Sequence, residues 1–351
     1  MACRLKTDFR LHDICIYDRQ EGLGGAWWAN TYPGCAVDIP GFCYSFSFAP
    51  NPDFTKLFPS QAEILDCLAN VVKQYGIGDH FIGGIEWIDA TWNEQTQTWL
   101  VTLRDIQNDR LFTQECQTLI SAVGGLVNPQ ELKIPGVERF QGDIIHTARW
   151  DATVDLSNKH VAVIGNGESY WDLLIPKYEF GCKRRIFDRG YLASLWQSNM
   201  RLTDDPIVKI TANSIITRSG EELFVDAILL ANGFALTHYD TNLKGRKGIT
   251  RQQHWNKYGH KATFKTIAMH GFPNFFYILG PNSGRLHTST IQIIESQVEM
   301  VTNLMRPILL KQASSVEVKA ISQREFDVQL HEAIDKTVHS AACGSVSFWP
   351  Q

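Results

Sequence analysis

The sequence contains no Cys-x-x-Cys pair, although eight cysteines are scattered from Cys3 to Cys343. Without paired thiols, structural zinc and thioredoxin-type exchange are excluded as organising chemistry, and no metal site is expected. Scattered thiols in a chain of this size read as reduced, so a cytoplasmic setting is expected. No apolar run approaches the roughly 20 residues of a membrane span. The start, MACRLKTDFRLHD, is charged and lacks the apolar centre of a signal peptide. Positive charge is also short, with 33 Lys and Arg against 37 Asp and Glu and a net charge of -4. That balance argues against nucleic acid as the main partner, because counterion release needs a basic face. Internal repeats and low-complexity segments are absent as well.

What remains is an ordinary globular composition, 44% hydrophobic over 351 residues, enough for one large or two medium domains. Aromatics are plentiful, with 10 Trp and 19 Phe, and they serve either as core or as the lining of a planar-ligand site. Ile14 to Asp18 is a short apolar run ending in an acid, as in a buried parallel strand. Ser60-Gln61-Ala62-Glu63 spells a capping box, followed by Ile64, Leu65, Leu68, Val71, Val72 and Tyr75 at helical spacing. Ile85 to Trp92 and Thr98 to Arg104 alternate around a polar turn and read as a hairpin. Thr118 to Ala122, Val161 to Ile164, Phe224 to Ala231 and Phe275 to Leu279 read as further strands. Thr290 to Leu309 and a segment capped by Ser322-Gln323-Arg324-Glu325 read as closing helices. Strands ending in glycine loops, with helices following, point to an α/β nucleotide-binding fold interrupted by small antiparallel meanders.

Several stretches carry chemistry. Asp18 ends a strand where an acid can hold both hydroxyls of an adenosine ribose, and Gly24-Gly25 lets backbone approach a flat or anionic group. On the residues alone, the same stretch is equally a Gly-rich turn before buried aromatics. Phe140 to Trp150 spells FxGxxxHTxxW around His146; a lone histidine beside a Trp is usually structural. Gly165-Asn166-Gly167-Glu168-Ser169-Tyr170 follows a strand as a pyrophosphate loop would, but Tyr170 stands where a small residue is usual. Gly181 to Asp188 is a basic turn, by composition a solvated surface.

FxGxxxHTxxW, together with GGAWWANTYPGCAVDIP, SFSFAPNPDF and Gly280-Pro281-Asn282, resembles the Baeyer–Villiger monooxygenase family over almost the whole chain. The resemblance implies a two-dinucleotide-binding-domain flavoprotein. Its FAD domain would span 1–150 and 240–351, with a reduced NADPH domain at 151–239. It implies oxygen insertion beside the carbonyl of a small apolar ketone, using O2, in secondary metabolism. Arg184 would be the active-site arginine, a permanent cation for the negative charge that develops, with Asp38 positioning it. Cofactor contacts would fall on Asp18, Gly24, Gly25, Ala26, Trp27, Asp38, Tyr44, Trp87 and Asn282 for FAD. Those for NADPH would fall on Gly165, Gly167, Ser169, Lys183 and Arg184. Asn232 stands where the family's closing motif carries Thr, and Asn tolerates the unusual backbone angles of a turn.

Two departures temper this. The strand and glycine loop that grip the FAD pyrophosphate are absent ahead of Met1, so a central strand is expected to be missing. Only Tyr170 to Phe180 separate the NADPH loop from the Arg184 loop, where relatives carry most of a domain. Clean edges inside well-kept motifs favour an incomplete gene model or splice product. The alternative is a catalytically dead, flavin-poor scaffold that binds an apolar ligand or a partner.

Overall fold

The structure is a computed structural model, and it describes residues 1–126, 128–165, 190–235, 239, 241–283 and 289–337. Secondary structure follows the local chemistry closely in the first half. Helix α1 (Ala2–Phe9) precedes strand β1 (Ile16–Tyr17), and a short turn of helix, α2 (Ala26–Ala29), follows the Gly24-Gly25 step. Helix α3 (Gln61–Tyr75) starts on the capping box that the sequence spells. The Ser60 hydroxyl accepts from the Glu63 backbone N–H, and the Glu63 carboxylate accepts from the Ser60 N–H. Further donors from Thr55 help hold the Glu63 carboxyl down at about 2. Gly76 ends the helix in the left-handed region at φ 57°, where a side chain would be strained.

Strands β3 (Ile85–Asn93), β4 (Thr98–Asp105) and β5 (Arg110–Cys116) form the expected meander, and β15 (Asn242–Lys244) joins β3 in parallel. Trp99 is fully buried in this sheet's core against Phe275, and its indole N–H reaches the Pro273 carbonyl at 2.8 Å. Burying an aromatic of this size adds a few kcal/mol only because its polar tip is satisfied. β1 pairs in parallel with β2 (Phe81–Ile82), and β6 (Leu119–Ser121) with β16 (Phe275–Tyr277). Among the described residues these remain two separate pairs rather than one sheet. Helix α5 (Thr290–Leu309) covers β16 with Val298, Val301 and Met305, which pack with Leu5, Ile267 and Phe276.

A second body of packing surrounds Ile228. Strands β8 (Asp143–His146), β13 (Ala227–Ala231) and β9 (Val161–Gly165) lie parallel in that order. Beside them runs an antiparallel meander of β10 (Ile207–Ile210), β11 (Ser214–Thr217) and β12 (Glu222–Phe224). Leu132, Ile134, Val137 and Phe140 pack into this body too, so it gathers residues well before position 150. The chain enters it through β7 (Asn128–Pro129) and leaves through β14 (Phe234–Ala235), which pair with each other antiparallel. The whole is α/β with small antiparallel meanders, as the sequence predicts.

Two local expectations are corrected. The run 224–231 is not one strand: β12 ends at Phe224 and β13 begins at Ala227. Asp226 breaks it, because its carboxylate accepts the His160 N–H at 2.7 Å and turns the chain. The last described helix, α6 (Ala320–Ile334), does not start on Ser322; Lys319 occupies the cap position without a side-chain bond. Gln323 decides this instead. It is fully buried, accepts the His270 backbone N–H at 2.6 Å and donates to His254 Nε2 at 2.9 Å, which draws the helix start upstream.

Candidate cofactor cleft

Asp18 closes β1, with its backbone tied to Ile82 and Ile85. Its half-buried carboxylate accepts the Gln20 N–H at 2.8 Å. Burial pushes the carboxyl above the usual carboxylate range, against the weaker pull of that N–H and of Arg19. The next residues fold tightly onto the β2–β3 connection: a Cβ at Gly83 would lie 2.4 Å from the Glu21 carbonyl oxygen. Gly24 takes φ 137°, and a Cβ there would lie 2.5 Å from Leu65. The turn is therefore glycine by necessity, and it delivers Gly25, Ala26 and Trp27 to the surface beside Asp18. The Gln61 side chain holds the Trp27 carbonyl, and the Trp27 ring meets Tyr44 edge-on at 5.3 Å.

A cleft of about 470 Å³ opens here, lined by Arg19, Gln20, Trp28, Ala29, Leu126, Ala148, Arg149 and Phe234. Three distant stretches of sequence meet in it: the turn after Asp18, the end of FxGxxxHTxxW, and the residue after Gly233. Two guanidinium-bearing residues and two aromatics suit a ligand that is flat and anionic. Arg19, Trp28, Arg149 and Phe234 were not singled out by sequence. An Arg directly after a strand-ending acid was the available signal for Arg19, and Arg149 lies inside the quoted motif.

The motif around His146 is explained by packing. Its imidazole is buried, with Nε2 3.0 Å from the Gly233 carbonyl and Nδ1 accepting the Ala148 N–H at 3.0 Å. Because a carbonyl only accepts, Nε2 carries the proton. A Cβ at Gly142 would lie 2.2 Å from the Asp226 carbonyl oxygen, so only glycine lets β8 approach there. Asn232, in its turn, donates to the Gln130 carbonyl at 3.1 Å, and positive φ falls on Gly233 (84°) rather than on Asn232. The histidine and its neighbours shape one wall of the cleft.

The other expected contacts are distributed around the first body. Asp38 is half-buried in the stretch beside α3, next to the Ala36–Ser60 bridge and the Val37 N–H bond to Pro59. Trp87 packs against Phe275, and its indole N–H is buried without an acceptor among the described residues. Asn282 follows β16 at φ 66°, with its amide nitrogen in the same condition. Buried donors without acceptors are rare in proteins and mark places where a ligand or water belongs. Gly165 ends β9 opposite Ala231, on the other body's sheet. Gly167, Ser169, Tyr170, Lys183 and Arg184 lie outside the described residues. No helix among the described residues is long and apolar enough to cross a membrane.

No protein-family profile matches the chain. It is 27% identical to a Baeyer–Villiger monooxygenase of Pseudomonas aeruginosa, covering 99% of this chain and 82% of that one. That alignment runs over 443 positions against 351 residues, so at least 92 positions of the relative face no residue here. An FAD-binding monooxygenase of Aspergillus terreus is also 27% identical, over 94% of this chain and 77% of its own. Among solved structures, an oxidised steroid monooxygenase bound to NADP superposes with a TM-score of 0.85 at 21% identity. It covers 97% of this chain and 90% of its own.

Proposed function

We propose that the chain is a Baeyer–Villiger monooxygenase, like the relatives it resembles, which binds FAD and NADPH and converts an apolar ketone to an ester or lactone. Ketone, O2, NADPH and a proton then yield ester, NADP+ and water. The observation that carries this reading is the cleft, where Arg19, Trp28, Arg149 and Phe234 converge from separate parts of the sequence. FAD, when bound, supplies the redox chemistry with NADPH and O2.

The residues present fit such a group. Trp87 Nε1 and Asn282 Nδ2 are buried donors without acceptors among the described residues. Gly24 admits no side chain. Asp18, raised by burial, gains from hydroxyl donors that satisfy its carboxylate. Arg19 and Arg149 offset phosphate charge in the cleft. In this reading Arg184, held by Asp38, stabilises the oxyanion that develops as the carbonyl is attacked, while Gly165, Gly167, Ser169 and Lys183 receive NADPH. The organisation is two nucleotide-binding units, an FAD-type one and an NADPH-type one, with the seam at residues 128–130 and 233–235.

A second reading rests on one observation, the 92 or more positions of the relative without a counterpart here. It makes the chain a flavin-poor scaffold that binds without turnover. Equilibrium dialysis with FAD, then NADPH consumption and ester analysis over a ketone panel, separates the two. Ketone-dependent NADPH oxidation with matching ester supports the enzyme. Absence of any saturable flavin binding in a folded protein overturns it.

A further inference from the structure

Helix α6 docks in an unusual way. Its buried residues are Gln323 and Asp327, both polar and one turn apart, while Ile321 and Val328 are exposed. One turn further along the same face stands His331, and across from it lies His260, in the loop after helix α4 (Arg251–Asn256). His260 Nε2 is 2.9 Å from Asp327 Oδ1, and His331 Nδ1 is 3.9 Å from Asp327 Oδ2. One ligand atom from each of the three lies within 4.8 Å of the others. Ligands of one tetrahedral ion with bonds of about 2.0 Å lie roughly 3.3 Å apart, so three groups gathered this closely need only a small adjustment to share an ion. Asp327 and His331 have the i, i+4 spacing that places two ligands on one helix face.

The orientation of His331 is a second, separate sign. Its Nδ1 lies 2.8 Å from the Asp327 backbone carbonyl, which can only accept, so Nδ1 carries the proton and Nε2 the lone pair. Ligating histidines characteristically donate their other ring N–H to a carbonyl or carboxylate in this way. We propose that His260, Asp327 and His331 form a binding site for a first-row divalent transition metal of the zinc type, clipping α6 to the loop after α4. Two imidazoles and one carboxylate select such a metal over calcium or magnesium, which require mostly oxygen ligands. Three protein ligands leave a tetrahedral position for water. Thr263, three residues beyond His260, donates to the Pro281 carbonyl at 3.3 Å, so the clip also steadies the turn that presents Asn282. The site stands independently of the oxygenation chemistry.

Co2+ and Zn2+ titrated into the full chain test this, with the visible spectrum read for Co2+ and the melting temperature for Zn2+. A single equivalent of Co2+ is expected to give ligand-field bands free of thiolate charge transfer, and Zn2+ to raise the melting temperature. Thiolate charge transfer is the necessary control, because the six described cysteines are free. His331→Gln changes a part-exposed side chain and leaves the fold intact. It is expected to weaken the metal by at least the roughly 10- to 100-fold that losing even an outer-sphere partner costs. Asp327→Asn should do the same, and if it fails to fold, His331→Gln decides. Co2+ binding through thiolate, binding unchanged in His331→Gln, or no saturable binding at all would each overturn the site and leave a His–Asp–His hydrogen-bonded cluster.

Discussion

At the scale of single residues, the FxGxxxHTxxW motif is mostly architecture. Gly142 is where β8 touches the Asp226 carbonyl, and His146 satisfies two backbone groups at once. Gly142→Ala must push a methyl against backbone rather than a flexible side chain, so it should cost about 1–3 kcal/mol. Urea unfolding would read this as a lower midpoint at unchanged slope. His146→Ala strips the Ala148 N–H of its acceptor and leaves the Gly233 carbonyl to the Gln130 N–H alone, a loss of roughly 1–3 kcal/mol. For Arg184 the proposed role is the opposite, chemistry rather than architecture. In a turnover-competent chain, Arg184→Ala should cut ester formation about 100- to 1000-fold while NADPH oxidation continues and hydrogen peroxide is released. Asp38→Ala should be milder, because Arg184 keeps its charge and only its placement suffers. Product analysis against NADPH consumption checks both; normal ester formation in Arg184→Ala would make the basic turn a mere surface. Gly142 and His146 were legible in the sequence because identity is what a motif records. Arg19, Trp28 and Phe234 were not, because their roles arise only where separate segments meet.

At the scale of elements, local rules were sufficient wherever the signal was local. The Ser60 box, the 85–104 hairpin and helix α5 all lie where spacing put them. They failed at α6, where a buried amide chosen by tertiary contacts outweighs a cap-like tetrapeptide. The same amide makes α6 acid-sensitive. Gln323 must accept from His270 and therefore donates to His254, which fixes His254 neutral with Nε2 as acceptor. Burial, and then the nearby His270 and Lys257, hold the His254 pKa at about 4, against an ordinary 6.5. The unfolded chain thus takes up a proton below pH 6.5 that the folded one refuses until about pH 4. Stability from this contact is complete above pH 6.5 and is lost as the pH falls from there to 4. The total is up to roughly 3 kcal/mol. Melting temperature against pH should show that slope, and His254→Asn should flatten it. An unchanged slope in the variant would place the acid sensitivity elsewhere.

At the scale of the molecule, the parallel strands of the first body stand as two pairs among the described residues. Among the described residues β1 bonds only to β2 and β6 only to β16, so each pair keeps an unpaired edge. Such edges recruit strands from other chains. The isolated chain is therefore expected to self-associate with rising concentration, which sedimentation velocity would follow. A monomer that melts cooperatively at high concentration would count against it. The packing of Leu132 to Val137 on the second body was not legible from the sequence, because they carry no motif and join it through contacts with Ile210 and Ile228 and the Ile210 N–H bond to the Pro135 carbonyl.

The crossing between the two bodies has a mechanical consequence. Asn128–Pro129 and Phe234–Ala235 are two straps laid side by side, and the ladder between them makes one ribbon of the pair. A ribbon bends easily across its flat face but resists twisting, because twist would shear the contacts of Phe234 with Pro129 and of Ala235 with Asn128. Its foot is riveted by three bonds. The Gln130 N–H and the His146 imidazole both reach the Gly233 carbonyl, and the Asn232 amide reaches the Gln130 carbonyl. A swing of one body against the other would then bend this ribbon beside Phe234. That residue lines the cleft, so bending there would widen and narrow the cleft itself.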